Sequence, residues 1–158
     1  MRNVILFFSS VFGIGYIKYA PGTFGSLAGI LLWAFFIPQN DYIQAAAVVL
    51  MFFASVLFSS LAEKIYSKKD DQRIVIDEVA GVWLSVLFLP KTVLFLTLGF
   101  ILFRILDISK PLFIKKWQHM KGGLGITIDD IAAGFITNII LQVLYVILKS
   151  PFILLYPN

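Results

Sequence analysis

Five carboxylates border the apolar stretches of this 158-residue chain: Asp77 and Glu78, Asp107, and Asp129 with Asp130. Acids at membrane depth are expensive and mark functional sites. One acid at a helix start serves as a cap or complements the helix dipole. Two adjacent acids, occurring twice, exceed that need. The pairs also sit in similar frames, Ile74-Val75-Ile76-Asp77-Glu78-Val79-Ala80 and Ile126-Thr127-Ile128-Asp129-Asp130-Ile131-Ala132, with Gly81 and Gly134 following. If this is a short internal repeat, two di-acid helix starts face one another across a pocket. Hard divalent cations such as Mg²⁺ take oxygen ligands of this kind.

Basic and hydroxyl groups accompany the acids. Arg104, Asp107 and Lys110 follow an i, i+3, i+6 spacing and share one helix face, an arrangement that suits a metal and an anion held together. Pro21-Gly22-Thr23-Phe24-Gly25-Ser26 precedes an apolar run and offers N–H and O–H donors to phosphate from Thr23 and Ser26. Gly122-Gly123-Leu124-Gly125 matches neither a Walker A loop nor a dinucleotide fingerprint and reads as a flexible approach to Asp129-Asp130. His119 is the only histidine and there is no cysteine. Thiolate chemistry, disulfides and two-histidine phosphatase mechanisms are therefore excluded.

The elements carrying these residues are apolar. Hydrophobic residues make up 59% and charged residues 14% of the chain, with a net charge of +4 and a mean hydropathy of +0.91. A soluble domain of this size cannot hide so much apolar surface. Charge-free runs cover 19–40, 42–62 and 131–148, each close to the roughly 20 residues that cross a bilayer. Residues 3–17 form a shorter run whose role is open: spanning, interfacial or packed in the bundle. It lacks an Ala-x-Ala-like cleavage site and is followed by further apolar segments, so a removed leader is not expected. The runs 79–90 and 92–103 meet at Pro90-Lys91. Leu89-Pro90-Lys91-Thr92 is a turn signal, and the expectation is a hairpin that brings Asp77 and Arg104 to one face. Residues 63–76 and 108–128 read as polar connectors. Eleven of the 13 basic residues, all but Lys91 and Lys149, fall on one side of this arrangement, which the positive-inside rule assigns to the cytoplasm. Trp33, Trp83 and Trp117 are expected as interface anchors. The fold expected is all-α: a single-domain polytopic helical membrane bundle over residues 1–158 with a cytoplasm-facing polar site.

Four segments, 21–26, 74–81, 103–111 (Phe-Arg-Ile-Leu-Asp-Ile-Ser-Lys-Pro) and 122–134, closely resemble the phosphatidylglycerophosphatase A family, in order and at compatible spacings. One departure is that Pro111-Leu112-Phe113-Ile114 lacks the second proline of the family's Lys-Pro-x-Pro-Ile. The resemblance implies an Mg²⁺-dependent phosphatase that converts phosphatidylglycerophosphate, a membrane phospholipid, to phosphatidylglycerol, the cardiolipin precursor, with no nucleic-acid partner. Asp77, Glu78, Asp107, Asp129 and Asp130 are then the catalytic and metal-binding set. Arg104, Lys110, Thr23 and Ser26 are the phosphate-binding set. The competing expectation is a small cation or proton transporter component using intramembrane carboxylates. Arg104 and Lys110 oppose it, because fixed positive charge hinders cation passage and favours a phosphate ligand.

Overall fold

A computed structural model describes residues 1–109 and 122–155, with side chains to Lys149. Among the described residues there are six α-helices and no strand: α1 (Arg2–Ser9), α2 (Pro21–Phe36), α3 (Asp41–Tyr66), α4 (Ile76–Ser85), α5 (Val93–Ser109) and α6 (Gly123–Leu155). A 3₁₀ turn, Ile14–Tyr16, links α1 to α2. Local chemistry sets several ends. Pro21 occupies the first turn of α2, where its missing N–H is harmless. The Asn40 side chain caps α3 by accepting from Ile43 N at 3.1 Å. The run at 3–17 resolves into a helix of 8 residues, too short to cross a bilayer, which packs on α3.

The short helix α4 is the hub, in contact with α2, α3, α5 and α6. Ile76, Asp77, Val79, Ala80, Gly81, Val82, Trp83 and Ser85 are all buried in it. Its closest neighbour is α6. A Cβ on Gly134 would overlap the Gly81 carbonyl oxygen, and one on Gly81 would meet Asp130 O at 2.6 Å. The two backbones therefore cross in direct contact, as small residues permit between apolar helices. The two similar sequence frames meet at this crossing.

α4 ends at Ser85, deep in the bundle, and side chains from α3, α6 and the α2–α3 link satisfy the polar groups that its end frees. Asn138 Nδ2 donates to Leu87 O (2.9 Å) and Ser85 O (3.3 Å), and Gln142 Nε2 to Leu87 O (3.0 Å). Phe88 N donates to Gln44 Oε1 at 3.0 Å, and Gln39 Nε2 to Leu89 O at 3.2 Å. A broken helix is tolerated in an apolar setting only with such partners. Beyond the break the chain reverses through Pro90-Lys91, and α5 returns so that Arg104 pairs with Glu78. The hairpin reading holds. Lys91 Nζ closes the far end by donating to Ala34 O (2.9 Å) and Ile37 O at the end of α2.

Three expectations change. Trp33 is fully buried and Trp83 7% exposed. Their rings lie 5.6 Å apart, and Trp83 Nε1 donates to Gly29 O at 2.8 Å, so both are packing residues between α2 and α4. Trp117 lies outside the described residues. Gly123-Leu124-Gly125 is helical, the first turn of α6, because Gly123 N finds an acceptor in Ser60 Oγ of α3 (2.9 Å). Asp129-Asp130 therefore lies inside a helix and not at its start. The first polar connector shrinks to 67–75, since α3 runs on to Tyr66.

Two helices, α3 and α6, are long and apolar enough to cross a membrane, and only 22% and 28% of their apolar stretches are buried inside the protein. Leu50, Phe53 and Leu57 of α3 and Phe135, Ile139, Val143 and Val146 of α6 face outward. Core helices of a soluble protein would turn such residues inward; an exposed apolar surface of this extent needs another apolar phase to cover it.

Replacing Asn138 by Leu strands the Ser85 carbonyl and halves the donors at Leu87. We expect a loss of about 1–3 kcal/mol of stability, read as a lowered unfolding midpoint in detergent.

Candidate active site

The N-terminus of α4 and the C-terminal part of α5 converge with α6 on a cavity of about 340 Å³. Its walls carry Asp77, Glu78, Arg104, Asp107 and Asp130 from the helices, Asp70 and Gln72 from the 67–75 connector, and Ala20-Pro21-Gly22 from the entry to α2. Five carboxylates thus face one space, with Arg104 the one cation among the described lining residues. Oxygens of Glu78, Asp107 and Asp130 come within 4.8 Å of one another. Carboxylates this close cannot all ionise unless cations or protons offset them.

Arg104 supplies part of that offset. Its Nη1 donates to Glu78 Oε2, to Asp107 Oδ2 at 2.9 Å and to Ser26 Oγ at 3.3 Å. Ser26 Oγ lies 2.9 Å from Glu78 Oε2 and 2.8 Å from Gly22 O, so its proton serves one or the other. Gly22 leaves space for Glu78: a Cβ there would overlap Glu78 Oε1. Asp77 Oδ1 is buried with no hydrogen-bond donor among the described residues, and Arg104 Nε is buried with no acceptor. Both are buried polar atoms without a partner among the described residues, on side chains that line the cavity.

The metal fit follows from the donor set. Three converging carboxylate oxygens and a fourth carboxylate with an open oxygen form an all-oxygen environment, which suits a hard divalent cation such as Mg²⁺ and not a soft one.

The structure gathers Asp77, Glu78, Arg104, Asp107 and Asp130 on the cavity and sets Ser26 directly behind Glu78. Asp129 is buried on α6 but does not line the cavity; one residue along a helix is a turn of about 100°. Thr23 sits half-buried in the first turn of α2, off the cavity. Lys110 and His119 lie outside the described residues. Asp70 and Gln72 were not singled out in the sequence. Asp70 resembles any acid in a charged connector, and the one signal for it is its position seven residues before Asp77, reachable only once the connector is known to fold back.

A second network shapes that connector. Arg73 donates to Asp71 through Nε (2.7 Å), Nη2 (2.9 Å) and its own backbone N (3.1 Å), and its guanidinium stacks 3.7 Å from the Tyr66 ring centre. Tyr66 and Tyr16 share a 2.9 Å hydroxyl contact. Val75 N donates to Ser9 O at 2.9 Å, and Gly15 abuts the Arg73 carbonyl. The N-terminal segment is thus a buttress for the connector. The hydrogen bonds from Arg73 hold the Asp71 carboxyl below the usual carboxylate range, outweighing its burial.

A model of the phosphatidylglycerophosphatase A family matches residues 7–145. The chain belongs to that family. A phosphatidylglycerophosphatase A of Escherichia coli is 38% identical over 130 residues, covering 80% of this chain and 74% of the relative. One from Haemophilus influenzae is 32% identical over 147 residues, covering 89% and 88%. A Bacteroides thetaiotaomicron protein with the provisional name phosphatidylinositol-3-phosphatase is 36% identical over 140 residues, covering 84% and 87%. No solved structure matches the chain. The phosphatidylglycerophosphatase A match covers every described cavity residue, and it takes in the buttress from residue 7 onward.

Because Asp71 has a depressed carboxyl pKa in the folded protein, its ion pair stabilises above about pH 4, the unfolded carboxylate value, and that contribution fades as pH falls through the folded value. Asp71→Asn should lower the unfolding temperature at pH 7, and the gap to wild type should narrow below about pH 4.

Proposed function

We propose that this chain is an Mg²⁺-dependent lipid phosphatase that removes the terminal phosphate of phosphatidylglycerophosphate to give phosphatidylglycerol. The observation that carries the reading is the convergence of Glu78, Asp107 and Asp130 beside Arg104 and the open Asp77 oxygen, in a member of the phosphatidylglycerophosphatase A family. The names of the relatives all denote phosphate removal from a hydroxylated lipid headgroup.

Glu78, Asp107 and Asp130 would hold the metal, with Asp77 at its edge. A bound Mg²⁺ supplies charge neutralisation at the phosphoryl oxygens. Arg104 binds the phosphate through guanidinium donors not taken up by Glu78 and Asp107. Ser26 steadies Glu78 from behind. The Asp77 carboxylate accepts the proton of an attacking water as the water oxygen bonds to phosphorus. The bond from phosphorus to the headgroup oxygen breaks, that oxygen takes up a proton, and phosphatidylglycerol and inorganic phosphate leave. Trapping of an aspartyl-phosphate would instead make a carboxylate the nucleophile.

The setting suits a lipid substrate. The cavity lies at the C-terminal end of α3 and the N-terminal end of α6, next to the connector that carries Lys68, Lys69 and Arg73. We read α3 and α6 as spans, the other apolar helices as packed among them in a multi-pass bundle, and this basic end as cytoplasmic. Arg104, fixed among the acids, opposes the cation-path alternative.

Purified protein in detergent should release phosphate from phosphatidylglycerophosphate with Mg²⁺ and stop when EDTA removes the metal. Asp77→Asn and Asp130→Asn should each lower kcat/KM by about 10²–10⁴-fold. Asp129→Asn, altering a carboxylate off the cavity, should retain far more activity. Wild-type rates in both Asp77→Asn and Asp130→Asn would sink the site.

A further inference from the structure

The inner wall accounts for the phosphate and the metal but leaves the rim unexplained. There the 67–75 connector brings Asp70 and Gln72 to the cavity. Both are exposed, and no hydrogen bond ties the Gln72 amide to the rest of the described protein. Their backbone is nonetheless fixed. Asp70 adopts a left-handed conformation (φ 51°), a region that Asp tolerates better than most residues. Gln72 lies between Asp71 and Arg73, whose side chains clamp together, with Arg73 stacked on Tyr66. Ile74 N donates to Asp71 O at 2.8 Å, closing the turn around Gln72. Two polar side chains with no hydrogen-bond partner among the described residues are thus held by a fixed backbone at the cavity.

We propose that Gln72, with Asp70 beside it, reads the free hydroxyl of the substrate's headgroup. The inference rests on the lipid-phosphatase reading above and extends it to specificity. With the phosphate at Arg104 and the carboxylate cluster, the atoms next along the headgroup stand at the rim. An amide donates and accepts, so it can satisfy both sides of a hydroxyl. Asp70 can accept the hydroxyl proton, and its charge disfavours a second anionic group at the same place. Inner-wall residues act on the phosphate; the rim pair selects what carries it. A site built to bond a hydroxyl rejects the analogue that lacks one, because its own polar groups then lose their partner.

The test compares phosphatidylglycerophosphate with its 1,3-propanediol analogue, identical but for the missing central hydroxyl, using full-length protein in detergent with Mg²⁺. Wild type should prefer the natural headgroup in kcat/KM by roughly 5- to 20-fold, the worth of one or two hydrogen bonds. Gln72→Ala should bring the ratio close to one by losing more rate on the natural lipid than on the analogue. Circular dichroism and an unfolding midpoint at wild-type values serve as the folding control. Asp70→Asn should reduce the ratio in part. Hydrolysis of both lipids by wild type without preference, or a ratio that survives in both variants, overturns the rim proposal and leaves the phosphatase reading intact. Hydrolysis of neither lipid by wild type overturns both.

Discussion

Mutual repulsion of carboxylates is the constraint that organises this protein. Asp70, Asp77, Glu78, Asp107 and Asp130 face one cavity, offset among the described lining residues by Arg104 alone. Nothing in that grouping is self-stabilising. It persists because the surrounding helices are held by other means: the Gly81–Gly134 backbone crossing, the Trp33–Trp83 packing and the polar clamp on the end of α4. The scaffold holds the acids at a separation they would not choose, and a divalent cation is the natural relief. Under the proposed function, binding and catalysis would share that origin, since the same uncompensated charge would attract a divalent cation to the cluster beside Asp77.

The half-length helix α4 reconciles an apolar bundle with a polar site. Had the 79–103 stretch been one span, Glu78 and Arg104 would lie on opposite sides of the molecule. Breaking it inside the bundle frees backbone groups, which Asn138, Gln142, Gln44 and Gln39 satisfy. The connector and N-terminal buttress then wall in the opening. α1 does not cross anything; its place is explained by the Ser9–Val75 hydrogen bond and the fit of Gly15 against Arg73.

Much of this is legible in the residues. Pro90-Lys91 marks the reversal, and the acid pairs with Arg104 mark the cavity, because turn chemistry and costly charges leave local signatures. What is hidden depends on tertiary contact. Gly123 and Gly125 look like loop residues until α3 is seen to supply Ser60 as an acceptor. Trp33 and Trp83 look like interface anchors until each is found to be the other's packing partner. Asp129 and Asp130 are equivalent in sequence, and only the rotation of α6 places Asp130 on the cavity and Asp129 off it. Gln72 carries no signal at all, as a single amide in a charged connector.

Asn138 and Gln142 also act as an index for α6. They grip the Ser85 and Leu87 carbonyls at one level of the helix, and Asp130 enters the cavity at another. The residues between must therefore keep both their number and their winding. One residue inserted between Asp130 and Asn138 would turn one end against the other by about 100° and shift it by about 1.5 Å, so that the clamp and the cavity carboxylate could not both keep their places. The same insertion beyond Gln142 would leave that register intact and displace only the packing of Leu144 and Tyr145 around Phe95. Tolerance to changes of chain length along α6 should thus be uneven, with the stretch between Asp130 and the clamp the most restrictive.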